Sequence, residues 1–317
     1  MPELVAEEQP QILRYQIGYA IPPKKLKDFL GTTLLDYTKQ RGIDLIQIDL
    51  TKPLAQQGPF HCILHKLYSQ DWAQLKLDQY TSENPHKPVF DPPHLVHRLH
   101  NRSSMLDAIT HFKTTCKNAT VSVPKQVVID VNDVNAIDQI SSTLRFPIIA
   151  KPLIVDGTMH SHELCLVFDR EGLKTLNAPV VLQEFVNHGG VVFKVYVAGD
   201  HVTCVKRRSL PDITEEKAKT LKGTVPFSLI SNVSVQDEND IEKAETPPKG
   251  LITEMGKALR EGTGLNLFNV DVIRDGEDCG RYYVVDVNYF PGYSKLPSYE
   301  SFVTGFLLDC LQNKTTK

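Results

Sequence analysis

The chain has 317 residues, 41% of them hydrophobic and 23% charged, with 35 Lys plus Arg against 38 Asp plus Glu for a net charge of -3. A chain well beyond about 250 residues excludes a single hydrophobic core, and this composition excludes an intrinsically disordered protein. The near balance of charge excludes a global attraction to nucleic acid or an anionic membrane, so any basic site has to be local.

In chain order, the start from Met1 to Gln11 is acidic and carries neither the basic region nor the apolar region of a secretory signal. No apolar run is long enough to span a bilayer, so the expectation is a cytoplasmic protein, with the nucleus open as well. Strand-like patterns at Tyr15–Ile21, Ile43–Leu50, Cys62–Leu67 and Pro88–Asp91 alternate with an amphipathic run over Lys24–Arg41 and a later polar helix. That rhythm predicts a small parallel-sheet unit over residues 1–95. Pro92-Pro93 then opens a helical stretch to Phe112, because proline is tolerated in a first helical turn.

From Lys125 the order is strand (Gln126–Ile129), helix (Val134–Ser142), strand (Pro147–Pro152), polar loop and strand (Leu164–Phe168), followed by β-branched runs at Pro179–Val186 and Val191–Val205. Ala198-Gly199-Asp200 marks a hairpin turn in the last of these. Pro211–Gly250 is charged and poor in aromatics, which predicts a poorly ordered surface segment with one short helix. A helix at Leu251–Arg260, strands at Leu265–Arg274 and Arg281–Asn288, and a helix at Ser301–Leu311 complete the chain. The fold class read from this is α/β (α+β), with a central domain over 96–195 and a C-terminal domain over 196–317. Coiled-coil heptads are absent, so a monomer is the simplest expectation. The six cysteines form no C-x-x-C pair and fall mostly in apolar stretches, which predicts buried free thiols rather than zinc ligands or disulfides.

The residues that carry chemistry cluster late in the chain. Asp271 interrupts Leu-Phe-Asn-Val-Asp-Val-Ile, and Asp286 and Asn288 lie two apart in Val-Val-Asp-Val-Asn-Tyr-Phe-Pro-Gly-Tyr. Strand side chains alternate faces, so Asp286 and Asn288 share one face, and Asp271 joins them if the two strands pair. Carboxylates on apolar strands need a compensating cation, and two carboxylates with an amide oxygen suit magnesium. The plain alternative is a set of solvated acids beside a turn.

Lys151 follows Phe-Pro-Ile-Ile-Ala, and Lys194 sits inside Val-Val-Phe-Lys-Val-Tyr-Val; either alone reads as an edge-strand gatekeeper. Between them the loop Asp156–His162 is small and polar, and its backbone amides suit a phosphate. His162 reads equally as a capping residue or a donor to phosphate. Gln183-Glu184-Phe185-Val186 ends a strand whose backbone has the polarity of an adenine edge. There is no G-x-x-x-x-G-K-[ST] and no G-x-G-x-x-G after a strand, so P-loop and Rossmann readings drop out. At the front, Lys24 and Lys25 begin a helix directly after a strand and Lys66 ends another, the edge at which ligands of open parallel sheets gather. With Lys206-Arg207-Arg208 these cations point to a compact polyanion carrying several phosphates.

The ordered motifs resemble the inositol tetrakisphosphate 1-kinases, also called inositol trisphosphate 5/6-kinases, and plant members above all. They are Gly-Tyr-Ala-Ile-Pro-Pro-Lys-Lys at 18–25, Gln-Gly-Pro-Phe at 57–60, His-Lys-Leu at 65–67, His-Asn-Arg-Ser at 100–103, Asp-Gly-Thr with Ser-His at 156–162, Gln-Glu-Phe-Val-Asn-His-Gly-Gly at 183–190, Lys-Arg-Arg-Ser-Leu at 206–210 and Asp-Val-Asn-Tyr-Phe-Pro-Gly-Tyr at 286–293. The resemblance implies the ATP-grasp fold, in which two domains clamp ATP and an N-terminal domain helps hold the inositol phosphate. It implies ATP contacts at Arg102, Lys151, Gln183, Glu184, Val186, Lys194 and Ser209, and Mg2+ on Asp271, Asp286 and Asn288. Lys25, Lys66, His162, Lys194, Arg207, Asn288 and Gly292 would hold the inositol polyphosphate, with Lys194, His162 and Asp286 closest to the chemistry. One departure is His160, where plant members often carry Lys. Two rivals remain: an ATP-grasp carboxylate-amine ligase, and an inositol-phosphate sensor that has kept the fold without the chemistry.

Overall fold

The computed structural model describes residues 14–129, 140, 142–155, 160–177, 179–227 and 238–312. They fall into two compact units: the residues up to Phe90 with those from Gly292 onward, and Asp91–Pro291. The boundary expected at 195/196 falls inside a continuous strand, and the chain after Gly292 joins the first unit.

In the first unit β1 (Tyr15–Ala20), β2 (Ile43–Gln47), β3 (Cys62–His65) and β4 (Val89–Phe90) form a wholly parallel sheet in the order β2-β1-β3-β4. β3 is buried along its whole length, as expected of a strand covered on both faces. The helix expected over Lys24–Arg41 is two helices, Pro23–Leu30 and Leu34–Lys39. The break is at Gly31, whose φ of +56° suits glycine and where a Cβ would lie 2.1 Å from Tyr299 Oη. Tyr299 opens the helix Tyr299–Gln312 and donates its hydroxyl to the carbonyl of Leu30 at 2.9 Å. Gly31→Ala should therefore lose about 2–4 kcal/mol, read as a lower urea midpoint, through left-handed strain plus the displaced tyrosine.

The second unit carries, in chain order, β5 (Thr120–Ser122), β6 (Gln126–Ile129), β7 (Ile148–Pro152), β8 (Cys165–Val167), β9 (Val180–Glu184), β10 (Val191–Ala198), β11 (His201–Arg208), β12 (Thr224–Pro226), β13 (Leu267–Arg274) and β14 (Arg281–Tyr289). Among the described residues they make two five-stranded sheets, β12-β8-β7-β9-β6 and β11-β10-β13-β14-β5. Ile129, Ile148, Ala150, Val180 and Leu182 cluster on one face of the first. Pairing is antiparallel apart from β14 with β5. The hairpin at Ala198–His201 forms as expected, with Gly199 at φ +58°.

Three expectations need correction. The helix from Pro93 stops at His97, and after short 3-10 turns the chain is extended at Asn101, which bridges to Ile154. The Asn101 side chain accepts from the Ser103 amide at 2.8 Å, the local competition by which Asn opens a turn. The segment Pro211–Gly250 supplies a helix at Glu215–Thr220, the edge strand β12 and a helix at Glu238–Lys243. Of the six free cysteines only Cys62 is buried, and Cys279 is exposed. Of the expected helix at Val134–Ser142 only Ile140 and Ser142 are among the described residues, and the loop core 156–159 lies outside them.

Candidate active site

The register of the second sheet builds the site. Lys194 of β10 is directly opposite Asp271 of β13, and Asp271 is directly opposite Asp286 of β14. Opposed residues in antiparallel strands share a face at close range, so one cation and two carboxylates form a row. Lys194 Nζ donates to both oxygens of Asp271, at 2.8 and 2.7 Å. Burial pushes the Asp271 carboxyl above the usual carboxylate range, with Lys194 pulling it down and Asp286 pushing it further up. Asn288 lies two residues along on the same face and donates to Asp286 Oδ2 at 3.0 Å.

Arg102 reaches the other end of the row. Its backbone amide donates to Leu153 O at 2.9 Å, which with the Asn101–Ile154 bridge fixes where the side chain starts. The guanidinium, 7% exposed, donates to Pro152 O at 3.0 Å, Ser161 O at 2.8 Å and Asp286 Oδ1 at 3.1 Å. Had the chain stayed helical through Asn101, this pairing with Leu153 would be lost.

Lys151 is 6% exposed and spans the gap between the sheets, donating to Gln183 Oε1 at 2.8 Å and to Val285 O at 2.9 Å. A bulge explains the second bond: pairing steps from Asp271/Asp286 to Val272/Val284 and skips Val285, whose carbonyl is turned out of the ladder. Burial lowers the Lys151 ammonium to about 8, against an opposing pull from Asp286. Gln183, 1% exposed, also donates to Gln126 Oε1 at 2.8 Å and so holds Lys151 in place. The Glu184 carboxylate accepts from the Arg145 amide at 3.0 Å.

A cleft of about 560 Å³ between the sheets is lined by Arg102, Lys151, Lys194, Ser209 and the carboxylate row, and by apolar residues that include Val186, Leu210, Ile273 and Val287. A mostly apolar lining with a few charged and polar groups suits a nucleotide. Arg207, opposite Val192, projects from the Lys194 face. His162 ends a 3-10 turn, and its side chain lies outside the described residues.

The residues fit magnesium. Two carboxylates crowded enough to raise one of them, with an adjoining amide oxygen, form a hard, over-negative donor set, and in this structure protein cations sit against both acids. Among the described residues no group of three His, Cys, Asp or Glu forms a cage, in keeping with a metal that leans on phosphate and water.

The first unit holds a basic cluster of its own. Lys25 lies in the first turn of helix Pro23–Leu30, where the helix dipole disfavours a cation, and Lys66 follows β3 with its amide on Ala20 O at 2.9 Å. Burial lowers Lys66 to about 8, Lys25 and Lys295 add to it, and Asp28 opposes. Gly292 lies against the same helix, its added Cβ 3.2 Å from Asp28 Cβ. One residue went unread in the sequence: Lys295, near a motif whose glycine and tyrosines draw the eye; His188 falls inside the 183–190 motif, within the stretch from Gln183 to Lys194 that the resemblance assigns to ATP.

Two antiparallel sheets closing on such a cleft define the ATP-grasp class. The fold is similar to D-alanine–D-alanine ligase from Bacillus anthracis (TM-score 0.59, 12% identity, 96% of this chain and 97% of that chain) and to a RimK domain protein from Sphaerobacter thermophilus (TM-score 0.54, 16% identity, 92% and 99%), likenesses of fold alone. Residues 115–309 match the inositol 1,3,4-trisphosphate 5/6-kinase ATP-grasp domain, and 16–96 its pre-ATP-grasp domain. The chain is 59% identical over 308 residues to inositol-tetrakisphosphate 1-kinase 2 of Glycine max and 50% identical over 310 residues to inositol-tetrakisphosphate 1-kinase 1 of Arabidopsis thaliana, covering in both cases 95% of this chain and 97% of the relative. It belongs to the inositol 1,3,4-trisphosphate 5/6-kinase family and is an ATP-dependent inositol phosphate kinase. Among the described residues no helix is long and apolar enough to cross a membrane.

Proposed function

We propose that the kinase moves the γ-phosphate of magnesium-bound ATP to a hydroxyl of a soluble inositol polyphosphate, with the names of its relatives pointing to tris- and tetrakisphosphates as acceptors. The observation that carries this reading is the row of Lys194, Asp271 and Asp286 across three adjacent strands, open to the same cleft as Lys151. Magnesium held by Asp271, Asp286 and Asn288 would neutralise charge on the terminal phosphates of ATP.

Phosphoryl transfer passes through a loose transition state with charge spread over equatorial oxygens, so positioned cations matter more than covalent help. Lys151, braced by Gln183 and the Val285 carbonyl, holds a nucleotide phosphate. Arg102 and Lys194 bring positive charge to the transferring group, and Lys194 also orients the acceptor hydroxyl. His162 steers that hydroxyl. In the second unit Arg207 and Asn288 take phosphates of the acceptor, and Ser209 and the backbone at Val186 receive the nucleoside; in the first unit Lys25, Lys66 and Gly292 supply phosphate-holding groups of their own.

With ATP, Mg2+ and a panel of inositol polyphosphates, and no amine present, ADP should form only with an acceptor, and NMR of the product identifies the new phosphate. ADP release that needs a carboxylate and an amine would return the rival ligase reading. Tight acceptor binding without transfer would make the protein a sensor.

A further inference from the structure

His188 and Ser209 both line the cleft, and the hydrogen bonds of the histidine fix the direction of the one between them. His188 Nδ1 is 2.6 Å from the carbonyl oxygen of Val186, an atom that can only accept, so Nδ1 carries the proton. Burial lowers the imidazole below its ordinary range, although Asp212 and the Val186 bond oppose this, and the neutral form has one proton only. Nε2 is then a bare acceptor, 2.8 Å from Ser209 Oγ. The serine proton goes to the histidine, and the oxygen is left with acceptor capacity alone.

The neighbouring backbone holds this geometry. Asp212 Oδ1 accepts the amides of His188 and Gly189 at 2.8 and 2.9 Å, Asn187 and Ile213 exchange two hydrogen bonds at 3.1 and 2.8 Å, and the Ser209 amide donates to Gly190 O at 2.8 Å. The ring packs edge-on against Phe185, centroids 5.8 Å apart, and both residues line the cleft.

We propose that His188 is a positioning residue that turns Ser209 into a dedicated hydrogen-bond acceptor, so that Ser209 selects a donor on the nucleoside, a ribose hydroxyl or the exocyclic amine of adenine, and does not bind phosphate. The reasoning is one of satisfiability: a hydroxyl has one proton, and once it is committed a phosphate oxygen facing Ser209 meets only lone pairs. A ligand lacking the donor leaves a desolvated acceptor unpaired, which is how a polar pocket rejects an analogue more strongly than an apolar one.

This rests on the nucleotide reading of the cleft, and the test separates the two. Binding of ADP, 2′-deoxy-ADP, 3′-deoxy-ADP and purine riboside diphosphate is measured by calorimetry with Mg2+ and no acceptor present. Wild type should bind ADP about tenfold or more tightly than one of the three analogues, and which one distinguishes sugar from base. In Ser209→Ala and His188→Leu the preference should shrink to within about twofold. His188→Gln, whose amide oxygen can still take the serine proton, should keep most of it. A purely structural role for His188 would weaken all four ligands together. Unchanged discrimination in Ser209→Ala, or a wild type indifferent to all three analogues, overturns the proposal, whereas failure of wild type to bind ADP at all overturns the nucleotide reading itself.

Discussion

Asp286→Ala should lower turnover by about a thousandfold or more while the ligand-free protein stays folded. Asp286 joins the carboxylate row to Arg102: it sits across from Asp271 in the strand register and accepts from Arg102 at 3.1 Å and from Asn288 at 3.0 Å. Removing it takes away one of two carboxylates available to magnesium. It also frees Arg102 from one partner, though the bonds to Pro152 O and Ser161 O remain. For stability the effects oppose: an ion pair is lost, but so is the repulsion that helps raise the Asp271 carboxyl. The urea midpoint should therefore move far less than the rate. The checks are steady-state turnover and the thermal shift given by ADP with Mg2+, which should vanish in the variant. Turnover within about tenfold of wild type would remove Asp286 from the metal set.

What the sequence made legible was what depends on alternation. The pair Asp286 and Asn288 share a face because strands repeat every two residues, and Asp271 could be named as their partner because an apolar strand does not carry an acid without cause. The structure sets Asp271 directly across from Asp286. What stayed hidden depends on breaks in pattern and on pairing between distant segments. Nothing local announces that Val285 is skipped in the ladder, yet that bulge gives Lys151 its carbonyl partner. The apolar periodicity after Pro93 continues past Asn101, and the bridge to Ile154 explains why the chain is extended there and Arg102 turns to Asp286. Likewise Gly31 reads as a tolerated glycine until Tyr299, from the far end of the chain, is found against it. Gln183 lines the cleft, and its side chain also braces the lysine, a role that nothing in the strand pattern announces.

Lys151 gives a test in which ligand binding and stability move in opposite directions with pH. Burial penalises the charged form and lowers its ammonium from an ordinary 10.5 to about 8 in the folded protein. Between those values the unfolded chain holds the proton and the folded chain does not, so the lysine's burial cost is full below about pH 8 and is relieved as pH rises toward 10.5. The relief amounts to about 3 kcal/mol, from roughly 1.4 kcal/mol for each pH unit of displacement. Over the same window the group proposed to hold nucleotide phosphate loses its charge, so ADP affinity should fall as ligand-free stability gains this contribution. Lys66 titrates in the same range, in the other unit, so the wild-type curve alone does not isolate Lys151. The difference between wild type and Lys151→Met does: the variant should bind ADP at least a hundredfold more weakly at pH 7 and lack this part of the rise in urea midpoint above pH 8. Lys151→Arg, charged throughout, should keep a flatter pH profile of binding if the guanidinium finds both Gln183 and the Val285 carbonyl. Parallel stability curves for wild type and Lys151→Met from pH 7 to 10 would show that the buried ammonium is not the titrating group.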